Sequence, residues 1–135
     1  MALLTIVTFL PALRNQFVGN FDDARNFLTN PHYRGLGWTQ IHWMFTTLHM
    51  GQYIPLTWIT LGLDYLLWGM HATGYHLTSL VLHAVTAVLF YSVSRRLIGV
   101  ATGRPEAWAT AAGAAVAALL FAVHPLRVES VAWVT

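Results

Sequence analysis

Two apolar stretches, residues 76–93 and 108–123, stand on either side of a short loop that carries Arg95, Arg96 and Arg104. This arrangement constrains the fold more than any other feature of the chain. Each stretch approaches the length that a helix rising about 1.5 Å per residue needs to cross a hydrocarbon core roughly 30 Å thick. The rest of the chain does not offset them. Hydrophobic residues make up 56% and charged residues 9% of the 135 positions, whereas about 25% of a soluble domain is charged. Too few polar side chains remain to cover a water-facing globule. The reading is an all-α, polytopic membrane protein with about three transmembrane helices.

Composition removes several other classes. The net charge is +2 and comes from dispersed arginines, with no lysine. That is too sparse for a nucleic-acid footprint, so no nucleic-acid partner is expected. There is no cysteine, hence neither a disulfide framework nor a thiolate metal site. The histidines are scattered and no HExxH is present, so no zinc site is expected. Six tryptophans and five tyrosines suit long borders at a membrane–water interface.

The chain divides by pattern. Residues 1–13 are apolar but short for a span, with no basic region before them and no small-residue cleavage site as in a signal peptide. They read as part of a first transmembrane helix whose beginning lies upstream, making the chain a single membrane-domain fragment. Residues 14–75 form a long outer loop containing two short helices. In residues 38–49, Trp38, Ile41, Phe45 and Leu48 share one face. In residues 55–68, Pro55 sits in the first turn and Gly69 is the stop, with Thr57, Thr60 and Asp64 as a narrow polar stripe. Both helices suit a position in the interface. Residues 76–93 and 108–124 are transmembrane helices, and Ala109, Gly113 and Ala117, spaced by four, permit close helix contact. The arginines of loop 94–107 place it in the cytoplasm by the positive-inside rule. The long loop, and residues 125–135 as the start of a second one, then lie outside.

That orientation gathers four of the five acids, Asp22, Asp23, Asp64 and Glu129, in one compartment. Asp22 and Asp23 are adjacent in FVGNFDDARNFLTNP, residues 17–31. One carboxylate there can act as a general base on an attacking hydroxyl. The other can raise its partner's pKa or help to hold a divalent cation through oxygen ligands. The bland alternative is that Asp22 caps a short helix and Asp23 is solvated. His76, Ser79, His83 and Thr86 form a polar stripe that belongs in a bundle interior. For His83 it reads as interhelical hydrogen bonding; for His76, headgroup contact stands equally beside it. In HPLRVESVAWV, after the last span, Pro125 ends the helix at or just before His124. Arg127 and Glu129 there are either a wall of a site or a surface pair of little energetic weight.

Four segments in order, FVGNFDDARNFLTNPHYRGL, PLTWITLGLDYLLWG, GYHLTSLVLHAVTAVL and HPLRVESVAWV, carry a resemblance across residues 10–135. The chain resembles the N-terminal membrane region of the transmembrane-and-tetratricopeptide-repeat O-mannosyltransferases and their bacterial relatives, a family similar to glycosyltransferases of the GT-C fold. The resemblance implies transfer of a sugar, in that family mannose, from a polyprenyl- or dolichyl-phosphate carrier to a hydroxyl acceptor, a protein. It implies that Asp23 or Asp22 is the base, with Asp23 the first choice. Arg25, His76 and Arg127 are expected to neutralise the departing phosphate, and His124 and Glu129 to complete the substrate-binding set. The membrane is then the bacterial inner membrane with the long loop periplasmic, or that of the endoplasmic reticulum with the loop lumenal. Two other classes stay open on the residues alone: a non-catalytic membrane assembly module or inactive fragment, and a transporter using His76 and His83.

Overall fold

The computed structural model describes residues 1–19 and 24–133, without the side chains of Asn26 and Phe27. Its helices are α1 (Ala2–Phe9), continued by a 3-10 turn (Leu10–Arg14), a π-helical turn (Ala24–Leu28), α2 (Trp38–Thr46), α3 (Pro55–Trp68), α4 (Ala72–Thr102), α5 (Trp108–Val123) and α6 (Arg127–Ala132). Among the described residues there is no strand, and only one isolated β-bridge, His49 to Gln52. The chain forms two compact units. One comprises Met1–Ala12 with Ser79–Ala132, and the other is centred on Leu13–Thr78. Helix α4 runs through both.

The first unit buries mainly small and polar residues, with Phe9, Leu80 and Val131, and exposes most of its large apolar ones. From α4 it buries Leu80, His83, Ala84 and Ala87, while Val81, Leu82, Val85, Val88 and Leu89 are exposed. This inside-out pattern fits lipid as solvent, because hydrocarbon accepts large apolar side chains and close helix contact needs small ones. At 31 residues α4 is long and apolar enough, by length and composition, to cross a membrane. It extends beyond the expected 76–93. Nothing between Ser94 and Thr102 breaks a helix, and Gly103, with φ +66°, ends it. Gly99 leaves room for the loop that follows, since a β-carbon there would stand 2.8 Å from Pro105 Cα.

Helix α5 ends where Pro125 requires, with His124 as its extended C-cap. Its buried stripe is Thr110, Ala114, Ala118 and Ala122, one residue on from the expected Ala109, Gly113 and Ala117. In this alanine-rich helix two neighbouring faces carry small residues at intervals of four. The tie that selects between them comes from α4, where the His83 ring nitrogen Nε2 lies 2.9 Å from the Ala122 carbonyl oxygen. Phe90 and Phe121 stack beside it at 4.5 Å, and Phe9 of α1 meets the His83 ring edge-on at 5.3 Å.

The second unit is built on rings. Tyr33, Met44, Trp58, Leu61 and Tyr75 are its buried core, with Phe17, Ile41, Trp43 and Tyr65 packed against them. Helix α3 begins at Pro55, whose missing N–H costs nothing in a first turn. It ends at Gly69, where φ is +61° and the backbone N–H donates to the Tyr65 carbonyl at 2.9 Å. Helix α2 stops at Thr46 rather than His49, because Thr47 turns extended. Its buried residue is Met44, whereas Trp38 (81%), Phe45 (46%) and Leu48 (70%) of the expected apolar face are exposed. Of the face the periodicity located, only Ile41 packs against the core.

Hydroxyls on the helices bond their own backbone. Thr60 donates to Leu56 O at 3.0 Å, Thr86 to Leu82 O at 2.8 Å and Ser92 to Val88 O at 3.0 Å. Thr86 is therefore exposed and satisfied, and needs no bundle interior.

Candidate functional site

Asp22 and Asp23, the expected base and its neighbour, lie outside the described residues, and so does any divalent-cation site on them. The segment that follows is held firmly. Ala24–Leu28 makes one π-helical turn, and the Ala24 carbonyl accepts from both the backbone N–H (3.0 Å) and the hydroxyl (2.8 Å) of Thr29. Arg25 on this turn is exposed. Asn30 Oδ1 accepts from the His32 N–H at 3.0 Å, shaping the turn at Pro31. Arg34 then reaches back: its Nη2 donates to the Leu28 carbonyl at 2.7 Å, and its guanidinium lies 5.7 Å from the centroid of the Tyr65 ring. The stretch after the acids is thus tied to α3.

Beneath this tie α3 comes very close to backbone. A β-carbon on Gly62 would stand 2.9 Å from the carbonyl oxygens of both Tyr33 and Gly35. Two residues on, Asp64 is 3% exposed. The Thr78 hydroxyl donates to Asp64 Oδ1 at 2.5 Å. Burial raises the Asp64 carboxyl above the ordinary carboxylate range, and hydrogen bonds from Thr78 and Trp68 partly oppose the shift. Among the described residues no cation pairs with Asp64. Burial likewise raises the Tyr33 phenol, against the lowering effect of Tyr75 and Arg34. The Tyr33 hydroxyl lies 3.7 Å from Met70 Sδ, and its ring stacks on Trp58 at 6.0 Å. His76, in the second turn of α4, is buried in the same unit.

The first unit holds the other expected residues. An open cleft of about 260 Å³ is lined by Ser79, His83, Thr86, Phe121, Arg127 and Ser130. The Arg127 guanidinium sits 4.4 Å from the Phe121 ring centroid, a cation–π contact that keeps the charge in place without neutralising it. His124 is exposed, and its Nδ1 accepts from the Leu126 N–H at 3.2 Å, closing the turn at Pro125. Glu129 is exposed on α6. Among the described residues, no ion pair joins it to Arg127. The pair that forms is Arg95 with Glu106, 3.5 Å apart at the surface.

Of the expected set, Arg127 lines a polar cleft, His76 is buried, and Arg25, His124 and Glu129 are exposed. Arg25 and His76 belong to the second unit and the other three to the first. Among the described residues no three histidines or acids gather as a metal site would require. What the sequence undervalued is Asp64, the one charged residue of the otherwise apolar α3. That isolation was the available signal.

Comparison with known proteins bears on the whole chain. No family model matches it, and no solved structure matches it. A protein O-mannosyl-transferase of Caenorhabditis elegans is 29% identical over 140 residues, covering 98% of this chain and 19% of that protein. Protein O-mannosyl-transferase TMTC4 of Homo sapiens is 33% identical over 144 residues, covering 97% of the chain and 19% of the relative. For human TMTC2 the figures are 31% over 137 residues, 96% and 15%. The chain is homologous to this O-mannosyl-transferase family. The homology takes in both compact units, and the chain spans a fifth or less of the length of these relatives.

Proposed function

We propose that the chain is the front part of a membrane glycosyltransferase of the GT-C type, moving mannose from a polyprenyl- or dolichyl-phosphate carrier to a hydroxyl on a protein. The observation that carries this reading is the similarity, over nearly the entire chain, to proteins named protein O-mannosyl-transferases. The proposed chemistry is inverting. The acceptor hydroxyl attacks the anomeric carbon, Asp23 or Asp22 takes its proton, and the lipid phosphate leaves with the bonding electrons. Phosphate is a good leaving group, so no acid need protonate it. Arg25, Arg127 and His76 are the groups proposed to meet its charge. His124 and Glu129 are proposed to complete the substrate-binding set.

In this proposal α4 and α5 span the membrane with residues 1–13, and the arginine-bearing loop between them is cytoplasmic. Residues 14–75 and 125–135 then face outward, into the periplasm of a bacterial inner membrane. In a eukaryotic host the same topology puts them in the lumen of the endoplasmic reticulum. The cleft beside Arg127 supports an anionic ligand, because its lining combines one cation with hydroxyls. The test is mannosyl transfer by the full reading frame, given polyprenyl-phosphate mannose and an acceptor peptide. Asp23→Asn is expected to lower the rate about 10²- to 10⁴-fold, the usual weight of a general base. Parental rates in both Asp22→Asn and Asp23→Asn would remove the acids from the chemistry and leave an assembly module.

A further inference from the structure

The loop that joins α4 to α5 is tied at several points. The Gly103 N–H, at the end of α4, donates to the Val100 carbonyl at 3.4 Å. Pro105 packs back on Gly99. The Arg104 carbonyl accepts twice, from the Ala107 N–H at 3.2 Å and from the buried Thr110 hydroxyl at 2.8 Å. The backbone of Arg104 is thereby fixed on both sides, and its side chain stands on a rigid turn.

Beside that turn lies an open cleft of about 360 Å³, lined by Ile98, Thr102, Arg104, Ala107, Ala109 and Thr110. Both threonine hydroxyls are already committed, Thr102 to the Ile98 carbonyl at 2.8 Å and Thr110 to Arg104. What they leave to a ligand is mainly methyl. The walls are therefore largely apolar, and the one charge among the lining residues is the Arg104 guanidinium. Arg95 stands one turn before Ile98 and two before Thr102, on the same face of α4, but it is paired with Glu106 at 3.5 Å. Among the described residues Arg104 has no acidic partner.

These features choose between anions. Inorganic phosphate has no use for apolar walls, and an acidic peptide would bring a row of charges to a cleft that offers one cation. An anionic glycerophospholipid matches both parts, with a phosphate diester for the guanidinium and an acyl chain for the walls. Trp108, flanked in sequence by two cleft residues, is 82% exposed, and an indole at the end of a membrane helix sits at headgroup level.

We infer that this cleft is a binding site for one anionic phospholipid of the cytoplasmic leaflet. Arg104 meets the headgroup phosphate, and the walls at Ile98, Thr102, Ala107 and Ala109 take the first part of an acyl chain. Basic pockets at the cytoplasmic ends of membrane helices hold anionic headgroups on the same principle. The site rests on the membrane topology proposed above but not on the catalysis.

The test uses the full chain in mixed micelles of phosphatidylglycerol and phosphatidylcholine, with retained lipid counted by native mass spectrometry. One phosphatidylglycerol should stay bound in preference to phosphatidylcholine. Arg104→Gln should lower its occupancy about fivefold, the weight of one arginine near an anionic surface. Ala109→Leu, which fills the cleft without touching charge, should lower it as well. Arg96→Gln removes another exposed arginine, outside the cleft lining, and should change it little. Equal losses in Arg96→Gln and Arg104→Gln would overturn the site in favour of diffuse loop charge. Displacement by inorganic phosphate at the same concentration would overturn it in favour of a free anion. Equal retention of the two lipids would overturn the site and leave the topology standing, whereas retention of neither would bring down both. A silent Asp23→Asn enzyme bears on neither.

Discussion

The two units of this molecule solve burial in opposite ways. The one holding most of α4 and α5 closes mainly on alanines, two threonines and a histidine, with Phe9, Leu80 and Val131 beside them. The one centred on α2 and α3 closes on Tyr33, Trp58 and Tyr75. In the first, most of the large apolar side chains of α4 are turned outward and small ones inward, as when the surroundings are as apolar as the interior. In the second, rings fill the space between short helices and loops, and removal from water contributes in the ordinary way. Small residues therefore carry much of the packing in one unit and rings most of it in the other, so the same kind of substitution should hurt them differently.

The sharpest break in this comparison is Trp58→Ala. Emptying a buried ring should cost about 3–5 kcal/mol, read as a lowered denaturation midpoint in detergent; no shift would mean that the rings do not hold the second unit. In the first unit the damaging change is the reverse, from small to large. Ala118→Leu should cost about 1–3 kcal/mol by overpacking, whereas Gly113→Leu, on the exposed neighbouring face, should leave thermal stability within about 0.5 kcal/mol. Equal damage from the two would return the contact to the Ala109–Gly113–Ala117 face.

The third test concerns Asp64. Because burial raises its folded pKa, the folded state holds the proton more tightly than the unfolded chain. Its contribution is complete below the unfolded value of about 3.9 and is lost as pH rises through the folded value. Thermal stability should fall from about pH 4 upward, and Asp64→Asn should flatten that slope. An unchanged slope in the variant would place the titration elsewhere. The smallest effect belongs to Arg95 and Glu106, both well exposed. Glu106→Gln should shift the midpoint by no more than about 0.5 kcal/mol, and a larger shift would mean that the loop is pinned by charge.

What could be read from the sequence follows from how local each signal is. Helix α3 was legible to the residue, because Pro55 and Gly69 mark its ends by backbone geometry alone. The stop of α5 was legible for the same reason. The faces of α2 and α5 were not, because periodicity reports that an apolar face exists, while lipid and protein interior both accept one. The choice of Met44 over Phe45, or of Ala114 over Gly113, is made by partners distant in sequence. The joining of Asp64 to Thr78, fourteen residues on, is likewise a tertiary event. Of the candidate site, the residue types were legible at Arg127, whose cleft needs Ser79 and Thr86 from another helix. Asp22 and Asp23 rest on their adjacency and on the family resemblance.

The threonines that bond their own helix, Thr60 and Thr86 among them, change how the chain can vary over time. A hydroxyl whose hydrogen is committed to the carbonyl one turn back presents mainly its methyl group to the surroundings. Exchange between threonine and valine at such a position alters neither shape nor solvation much, so these sites can drift without selection resisting. Alignments across distant relatives should show them as polar in one lineage and apolar in the next. A scale that scores each residue separately will undercount the lipid-compatible length of such helices.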